Sequence, residues 1–132
     1  SEYSMMWEIY PSGIYELLTR IWKDYKPKKL FVTENGVPVP DDIDFDGKVR
    51  DVRRIDYLHK HICQVQRAMQ DGVPVIGYLV WSLADNYEWA LGYRMRFGLT
   101  YVDFETQKRT IKESGHWFAR VIKGNGVPPC ID

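Results

Sequence analysis

Two stretches of this sequence set carboxylates beside amides and aromatic rings. The first is Glu34-Asn35-Gly36, and the second runs Trp81-Ser82-Leu83-Ala84-Asp85-Asn86-Tyr87-Glu88-Trp89. Flat aromatic faces take the apolar face of a pyranose, while carboxylates and amides accept from and donate to its hydroxyls. The combination therefore suits a sugar site. Two carboxylates in such a site also suit glycoside hydrolysis, in which one attacks the anomeric carbon or activates water and the other protonates the leaving oxygen. On the residues alone that pair is Glu34 and Glu88. A structural reading stays open beside it, because a strand-end glutamate can equally be buried against an arginine. Among the tryptophans, Trp22 and Trp117 fall on apolar helical faces and read as core, whereas Trp7, Trp81 and Trp89 flank their elements and are candidates for ligand contact.

These residues need elements to hold them. Pro11-Ser12-Gly13 opens a stretch with apolar residues at Ile14, Leu17, Leu18, Ile21, Trp22 and Tyr25, a 3.6-residue period that predicts a helix over 12–25 ended by Lys26-Pro27. Leu30 to Glu34 reads as a buried strand that delivers Glu34 at its carboxyl end. Residues 36–49, rich in Pro, Gly and Asp without periodicity, read as a surface loop. Asp51 has the chemistry of an N-cap. Ile55, Leu58, Ile62, Val65 and Met69 then mark an amphipathic helix that Asp71-Gly72 terminates. Val75 to Trp81 reads as a parallel strand buried on both faces, and Ser82 to Phe97 as a polar and aromatic loop. A strand over 99–103, a helix over 112–122 and a patternless tail from Gly124 complete the chain.

The order is α/β, with two parallel strands joined by a crossover helix. In open sheets and barrels of this class ligands sit beyond the carboxyl ends of the strands, which is where both stretches fall. Two or three strands do not close a sheet, and a (β/α)8 barrel usually takes about 250 residues. A chain of 132 residues therefore reads as a piece of something larger.

Composition excludes several function classes. Lys and Arg number 18 and Asp and Glu number 18, a net charge of zero that argues against nucleic-acid or anionic-membrane partners. The apolar run Gly72 to Ala84 is too short to span a bilayer, and Ser1-Glu2-Tyr3-Ser4 has no signal-peptide character. The basic residues between Lys48 and Lys60 read as a solvated helix surface. Cys63 and Cys130 lie far apart with no CxxC neighbour, and they read as free structural thiols of a reducing, cytoplasmic compartment. His59, His61 and His116 do not make a metal site.

Taken together, Trp7-Glu8-Ile9-Tyr10-Pro11 with Gly13, Val32-Thr33-Glu34-Asn35-Gly36, Arg54-Ile55-Asp56-Tyr57-Leu58, the run from Gly77-Tyr78 through Trp81-Ser82-Leu83 and Asp85-Asn86-Tyr87-Glu88-Trp89 to Gly92-Tyr93, and Arg96-Phe97-Gly98-Leu99 with Tyr101-Val102-Asp103 resemble the carboxyl-terminal portion of a family 1 glycoside hydrolase, the β-glucosidase and β-galactosidase family. The resemblance implies the last strands and helices of a (β/α)8 TIM barrel over residues 1–123, with an irregular tail over 124–132. It implies a retaining mechanism with Glu34 as the nucleophile. Glu88 then becomes a glycone-binding residue, in place of the acid that the residues alone suggest. The resemblance also puts Trp81 under the glycone, Glu88 and Trp89 on its hydroxyls, Trp7 toward the aglycone, and Phe97 and Asn35 in the pocket. Members acting on 6-phosphorylated sugars carry a smaller residue where this chain has Glu88, so an unphosphorylated β-D-glycoside is the expected substrate. The general acid/base lies on earlier strands, so the chain is expected to be inactive alone and to need an amino-terminal partner chain of about 300 residues. A non-catalytic fragment that only binds sugar is the alternative. No cofactor or metal is required.

Overall fold

Apolar residues recurring every three or four positions do become helices, and the short β-branched runs between them become strands. The computed structural model describes residues 2–129. Its elements are β1 (Glu2–Tyr3), β2 (Glu8–Ile9), α1 (Ser12–Tyr25), β3 (Leu30–Val32), α2 (Val52–Gln70), β4 (Val75–Tyr78), β5 (Thr100–Val102), β6 (Arg109–Ile111) and α3 (Glu113–Gly124), with one 3₁₀ turn over Trp89–Leu91. Lys26 takes a left-handed conformation after α1 and returns its N–H to Trp22 O, and Pro27 prevents the helix from resuming.

The site is positioned by β3-α2-β4. Its two strands pair in parallel, with Leu30 opposite Val75, Phe31 opposite Gly77 and Val32 opposite Tyr78. Pairing continues beyond the strand ends, where Leu79 N donates to Val32 O at 2.8 Å and Trp81 N donates to Asn35 O at 2.9 Å. One face of this pair packs on α1 and α2 through Leu18, Val32, Val65, Ala68, Val73 and Val75, with Trp22 against them as expected. The other face is open among the described residues: Phe31 and Leu79 are 49% and 52% exposed. The expectation of strands buried on both faces is thus met on one face only. A second core joins Val37, Val39, Tyr57, Leu58, Leu99 and Trp117.

Several sequence expectations are corrected here. Residues 36–49 do not form a simple surface loop, since Val37, Val39, Asp41 and Val49 are buried. The buried face of α2 is Arg54, Tyr57, Leu58, His61, Val65 and Ala68, a stripe rotated from the one apolarity suggested, and Met69 is exposed. Polar Arg54 and His61 can occupy that face because each has partners there. Arg54 is therefore not part of a solvated surface. The antiparallel strands β1–β2 and β5–β6 are short hairpins, and β6 was hidden in the sequence. Its turn is an Asp103 side chain accepting from Glu105 N and Thr106 N. Gly124, expected in the tail, closes α3. Cys63 is disulfide-bonded rather than free, while Cys130 lies outside the described residues. The expectation of a reducing compartment loses its support at Cys63. No helix is long and apolar enough to cross a membrane among the described residues.

The loops are tied to the helices by a buried ionic network. Arg54 donates from Nη1 and Nη2 to the two oxygens of Asp41 at 3.1 and 2.8 Å, to Asp51, and to Arg96 O at 2.7 Å. Lys112 Nζ donates to Asp41 at 2.6 Å and to Asp85 at 2.7 Å. Arg96 Nη1 donates to Asp85 at 2.5 Å. Asp51 starts α2 as expected, but its carboxylate does not cap that helix. It accepts from Ser114 N at 2.9 Å and from Ser114 Oγ, and so holds the start of α3. Burial opposes the charge on Arg54, yet Asp41 and Asp51 together outweigh it and raise its pKa.

Removing one member of such a network leaves charges buried without partners, a loss of about 3–5 kcal/mol. Lys112→Met is expected to lower the unfolding free energy by about that amount in urea denaturation, and a change below about 1 kcal/mol would count against the network. His61 supplies a pH prediction. Burial pushes its pKa below the usual 6.5 despite the bond between Nδ1 and Tyr57 O at 2.7 Å. The unfolded chain then takes up the proton first, so this contribution is complete above the unfolded value and is lost as pH falls from 6.5 toward the lowered folded value. Denaturation midpoints between pH 7.5 and 5 should fall less in His61→Asn than in the parent.

Candidate active site

Glu34 leaves the end of β3 just after buried Val32, on a turn whose shape is set by close backbone contact. A Cβ on Gly36 would lie 1.8 Å from Trp81 O, so only glycine allows the two strand ends to meet this closely. Across the gap, the peptide between Trp81 and Ser82 is cis. Ser82 N then donates to Phe97 O at 3.1 Å, and Leu99 N donates to Ser82 O at 2.8 Å, which closes the loop over residues 82–97 on itself. Gly98 permits that closure, because a Cβ there would lie 2.2 Å from Asp85 N.

The loop's far end is held by Asp85. Its oxygens accept from Gly98 N at 3.0 Å, from Val102 N at 3.3 Å and from the Lys112 and Arg96 side chains. Arg96 in turn stacks on Tyr101 and Phe104, at 4.0 and 4.8 Å from the ring centroids. What this framework presents outward is Glu88 and Trp89. Glu88 N donates to Gly92 O at 2.8 Å, and Glu88 Oε2 accepts from Trp81 Nε1 at 3.4 Å.

A cleft of about 430 Å³ lies at the carboxyl ends of β3 and β4, lined by Trp7, Glu34, Asn35, Gly36, Tyr57, Trp81, Glu88, Trp89 and Phe97. All seven residues singled out in the sequence line it. They do not stand alike. Trp89 is 80% exposed and offers a free aromatic face, whereas Phe97 is 3% exposed and packs as floor. Trp7 comes from the β1–β2 turn, where the Ser4 hydroxyl accepts from Met6 N and Trp7 N, and its ring lies 6.0 Å from that of Phe97. The Glu34 side chain is exposed and makes no hydrogen bond among the described residues. Asn35 is engaged at both ends of its amide, accepting from Tyr78 Oη at 2.6 Å and donating to Tyr57 Oη at 3.2 Å.

Sequence reasoning missed Tyr57. It lies in the quoted Arg54-Ile55-Asp56-Tyr57-Leu58 motif, and the spacing 54, 57, 58, 61 would have placed it on one helix face had polar residues been admitted to that face. Burial pushes its phenol pKa up, partly offset by the bond to Asn35, and burial pushes Tyr78 up further. Among the described residues no Lys, Arg or His lines the cleft, and its charged side chains are those of Glu34 and Glu88. A larger cavity of about 670 Å³ between α2 and residues 127–129 is lined by Gln and basic side chains and gathers no carboxylate among the described residues. No group of three or more His, Cys, Asp or Glu could hold a metal ion among the described residues.

Comparison with known proteins bears on this arrangement. The model of glycosyl hydrolase family 1 matches residues 1–127. The chain is 56% identical over 124 residues to the 1,4-β-D-glucan glucohydrolase of Thermotoga neapolitana, which covers 94% of this chain and 28% of that protein. It is 49% identical over 116 residues to a 6-phospho-β-galactosidase of Clostridium acetobutylicum, covering 87% of this chain and 24% of that protein. The family 1 β-glucosidase of Thermotoga maritima superposes with a TM-score of 0.95 at 50% identity, over 98% of this chain and 29% of its own. Structures of the β-glucosidase from that organism in complex with glucoimidazole and with galacto-hydroximolactam superpose with TM-scores of 0.93 at 52% identity, each over 94% of this chain and 28% of its own. The chain thus spans under a third of the length of these relatives.

The contact at Gly36 generates a prediction independent of any reaction. Gly36→Ala forces the ends of β3 and β4 apart against backbone atoms, so it should cost more than about 2 kcal/mol in denaturant midpoint analysis. It should also alter the near-ultraviolet dichroism of Trp81. A variant as stable as the parent would show that the strand ends do not meet in this way.

Proposed function

The chain belongs to glycosyl hydrolase family 1, and on that premise we propose that it supplies the nucleophile and the sugar-binding wall of a retaining β-glycosidase acting on unphosphorylated β-D-glycosides. The observation that carries the reading is the single cleft in which Glu34 stands, without a hydrogen-bonding partner among the described residues, beside Trp81, Glu88 and Trp89. In this reading the Glu34 carboxylate attacks the anomeric carbon as the aglycone oxygen leaves. The resulting glycosyl-enzyme is then resolved by water. Trp81 takes the apolar face of the glycone, its indole N–H keeping Glu88 turned toward the sugar hydroxyls, and Trp89 adds an open aromatic edge. Trp7 lies on the aglycone side, above the floor formed by Phe97.

Specificity follows from charge. Relatives include both β-glucosidases and 6-phospho-β-galactosidases, so overall similarity does not separate the two classes. The cleft does favour one of them. A dianionic phosphate would enter beside the Glu88 carboxylate with no lining cation to offset it, and such proximity is unfavourable at any effective dielectric.

The proton donor for the leaving oxygen is assigned to a residue outside this chain. We take β3 and β4 as the last two strands of a (β/α)8 barrel, with the earlier strands supplied by an amino-terminal portion of about 300 residues. Support comes from the open face of the strand pair, where Phe31 and Leu79 leave apolar surface for neighbours to cover. Without the donor a loss of about 10²- to 10⁴-fold is expected.

The test is Glu34→Gln in the barrel assembled with its amino-terminal portion. Turnover of an aryl β-glucoside should fall by at least about three orders of magnitude, while a glycone-shaped inhibitor still binds. Retained turnover would overturn the nucleophile, and a sugar-binding role alone predicts that the assembled parent has no turnover to lose. Glu88→Ala should raise KM for the unphosphorylated glycoside more than it lowers kcat. A native mass spectrum should show the 15.6 kDa chain bound to the amino-terminal chain when the two are mixed. Copies of this chain alone would count against the assembly.

A further inference from the structure

Asn35, the residue after Glu34, is held from three directions. Its backbone oxygen accepts from Trp81 N at 2.9 Å. Its side-chain oxygen accepts from Tyr78 Oη at 2.6 Å, and its side-chain nitrogen donates to Tyr57 Oη at 3.2 Å. The two phenols arrive from different elements, Tyr78 from the end of β4 and Tyr57 from the second turn of α2. Each is fixed in its own right. Tyr57 is 5% exposed and stacks on His61 with ring centroids 3.9 Å apart. Tyr78 packs against the first core, and its ring lies 6.5 Å from that of Phe118.

The contrast with Glu34 is what gives this clamp meaning. The carboxylate has no hydrogen bond among the described residues, so its aim is set by the backbone that carries it. On the amino side that backbone is pinned by buried Val32, and on the carboxyl side by Asn35. A misplacement of about 1 Å at a reacting group can cost about 10²-fold in rate, which makes the rigidity of the flanking peptide a determinant of turnover.

We propose that Tyr57 and Tyr78 are positioning residues for the reaction: by engaging both ends of the Asn35 amide they fix the Glu34–Asn35 peptide and so the direction from which Glu34 attacks. The inference rests on the reading of Glu34 as nucleophile. It also gives Asn35 a supporting role, behind the carboxylate, in place of the sugar contact that its position in the sequence suggested. Burial raises both phenol pKa values, so both hydroxyls keep their protons at neutral and mildly alkaline pH. The clamp therefore persists across that range, and the variants should not shift the alkaline limb of the rate profile.

The experiment uses the assembled barrel with Tyr57→Phe, Tyr78→Phe, the double variant and Glu34→Gln as control. The rate of glycosyl-enzyme formation is read as the pre-steady-state burst of an aryl leaving group. Each single variant should slow the burst about tenfold, the equivalent of one hydrogen bond, with the Kd of a glycone-shaped inhibitor within about twofold of the parent. The double variant should slow it by less than the product of the two, because both act through one amide. Burst rates within about twofold of the parent would overturn the inference, as would a rate loss matched by an equal loss of inhibitor affinity. If Glu34→Gln is inactive while the tyrosine variants keep the parent burst rate, the inference alone falls. If Glu34→Gln still turns over, the nucleophile reading falls and takes the inference with it.

Discussion

Three aspartates, two arginines and a lysine, five of the six essentially without solvent contact, hold the loops of this chain to its helices. Their formal charges cancel, and that balance is what makes burial tolerable. A single carboxylate or ammonium taken out of water costs several kcal/mol unless its partners are in place. The network therefore forms as a whole, and with it come the positions of everything attached. Asp41 brings in the segment after Glu34, Asp51 brings in the starts of α2 and α3, and Asp85 brings in the loop that carries Glu88 and Trp89. Backbone groups are part of the same arrangement, since Arg54 donates to Arg96 O and Asp85 accepts from Gly98 N and Val102 N.

This explains how a long irregular loop can serve a site that needs fixed geometry. Loops lack the internal hydrogen bonds of helices and sheets, so their order must come from somewhere else. Here Ser82 and Asp85 near the root of the 82–97 loop are buried and hydrogen-bonded, while Tyr87 and Trp89 at its tip are exposed. Trp89 at 80% exposure and Asp85 at 6% are four residues apart. The same gradient runs through Glu34-Asn35-Gly36, where the amide is hydrogen-bonded at both ends, the glycine touches the facing backbone, and the carboxylate before them has no hydrogen bond among the described residues. Order is concentrated one residue away from the groups that would meet a ligand.

The second constraint is the open face of the strand pair. Phe31 and Leu79 present apolar area on the side away from α1 and α2, and Phe31 fills the space above Gly77, where a Cβ would lie 2.2 Å from its ring. A two-stranded parallel pair is seldom left with one face open, because parallel sheets bury both. Leu18, Val32, Val65 and Val75 are covered on the helical side, and Phe31 and Leu79 on the opposite side are not. The chain belongs to glycosyl hydrolase family 1 and spans under a third of its relatives' length, and in the proposed reading that open face is where the rest of the barrel would pack.

Much of this was legible in the residues themselves. Periodicity and punctuation identified α1, α2 and the β3-α2-β4 unit, because helix and strand periods depend on local side-chain spacing, and Lys26-Pro27 and Asp71-Gly72 stop helices by local chemistry. Seven of the side chains that line the cleft were also named from sequence, since strand ends, aromatics and carboxylates occur there in a recognisable order, with Phe97 added by the family resemblance. What could not be read was every feature that depends on residues distant along the chain. The burial of Arg54 and Lys112, the use of Asp51 to hold α3 and the entry of Tyr57 into the site all follow from contacts across tens of residues. A charge reads as surface until its partner is known, and only the tertiary structure supplies the partner. Sequence determined which groups are available for chemistry. The fold decided which of them are held fast by others and which are left free to act.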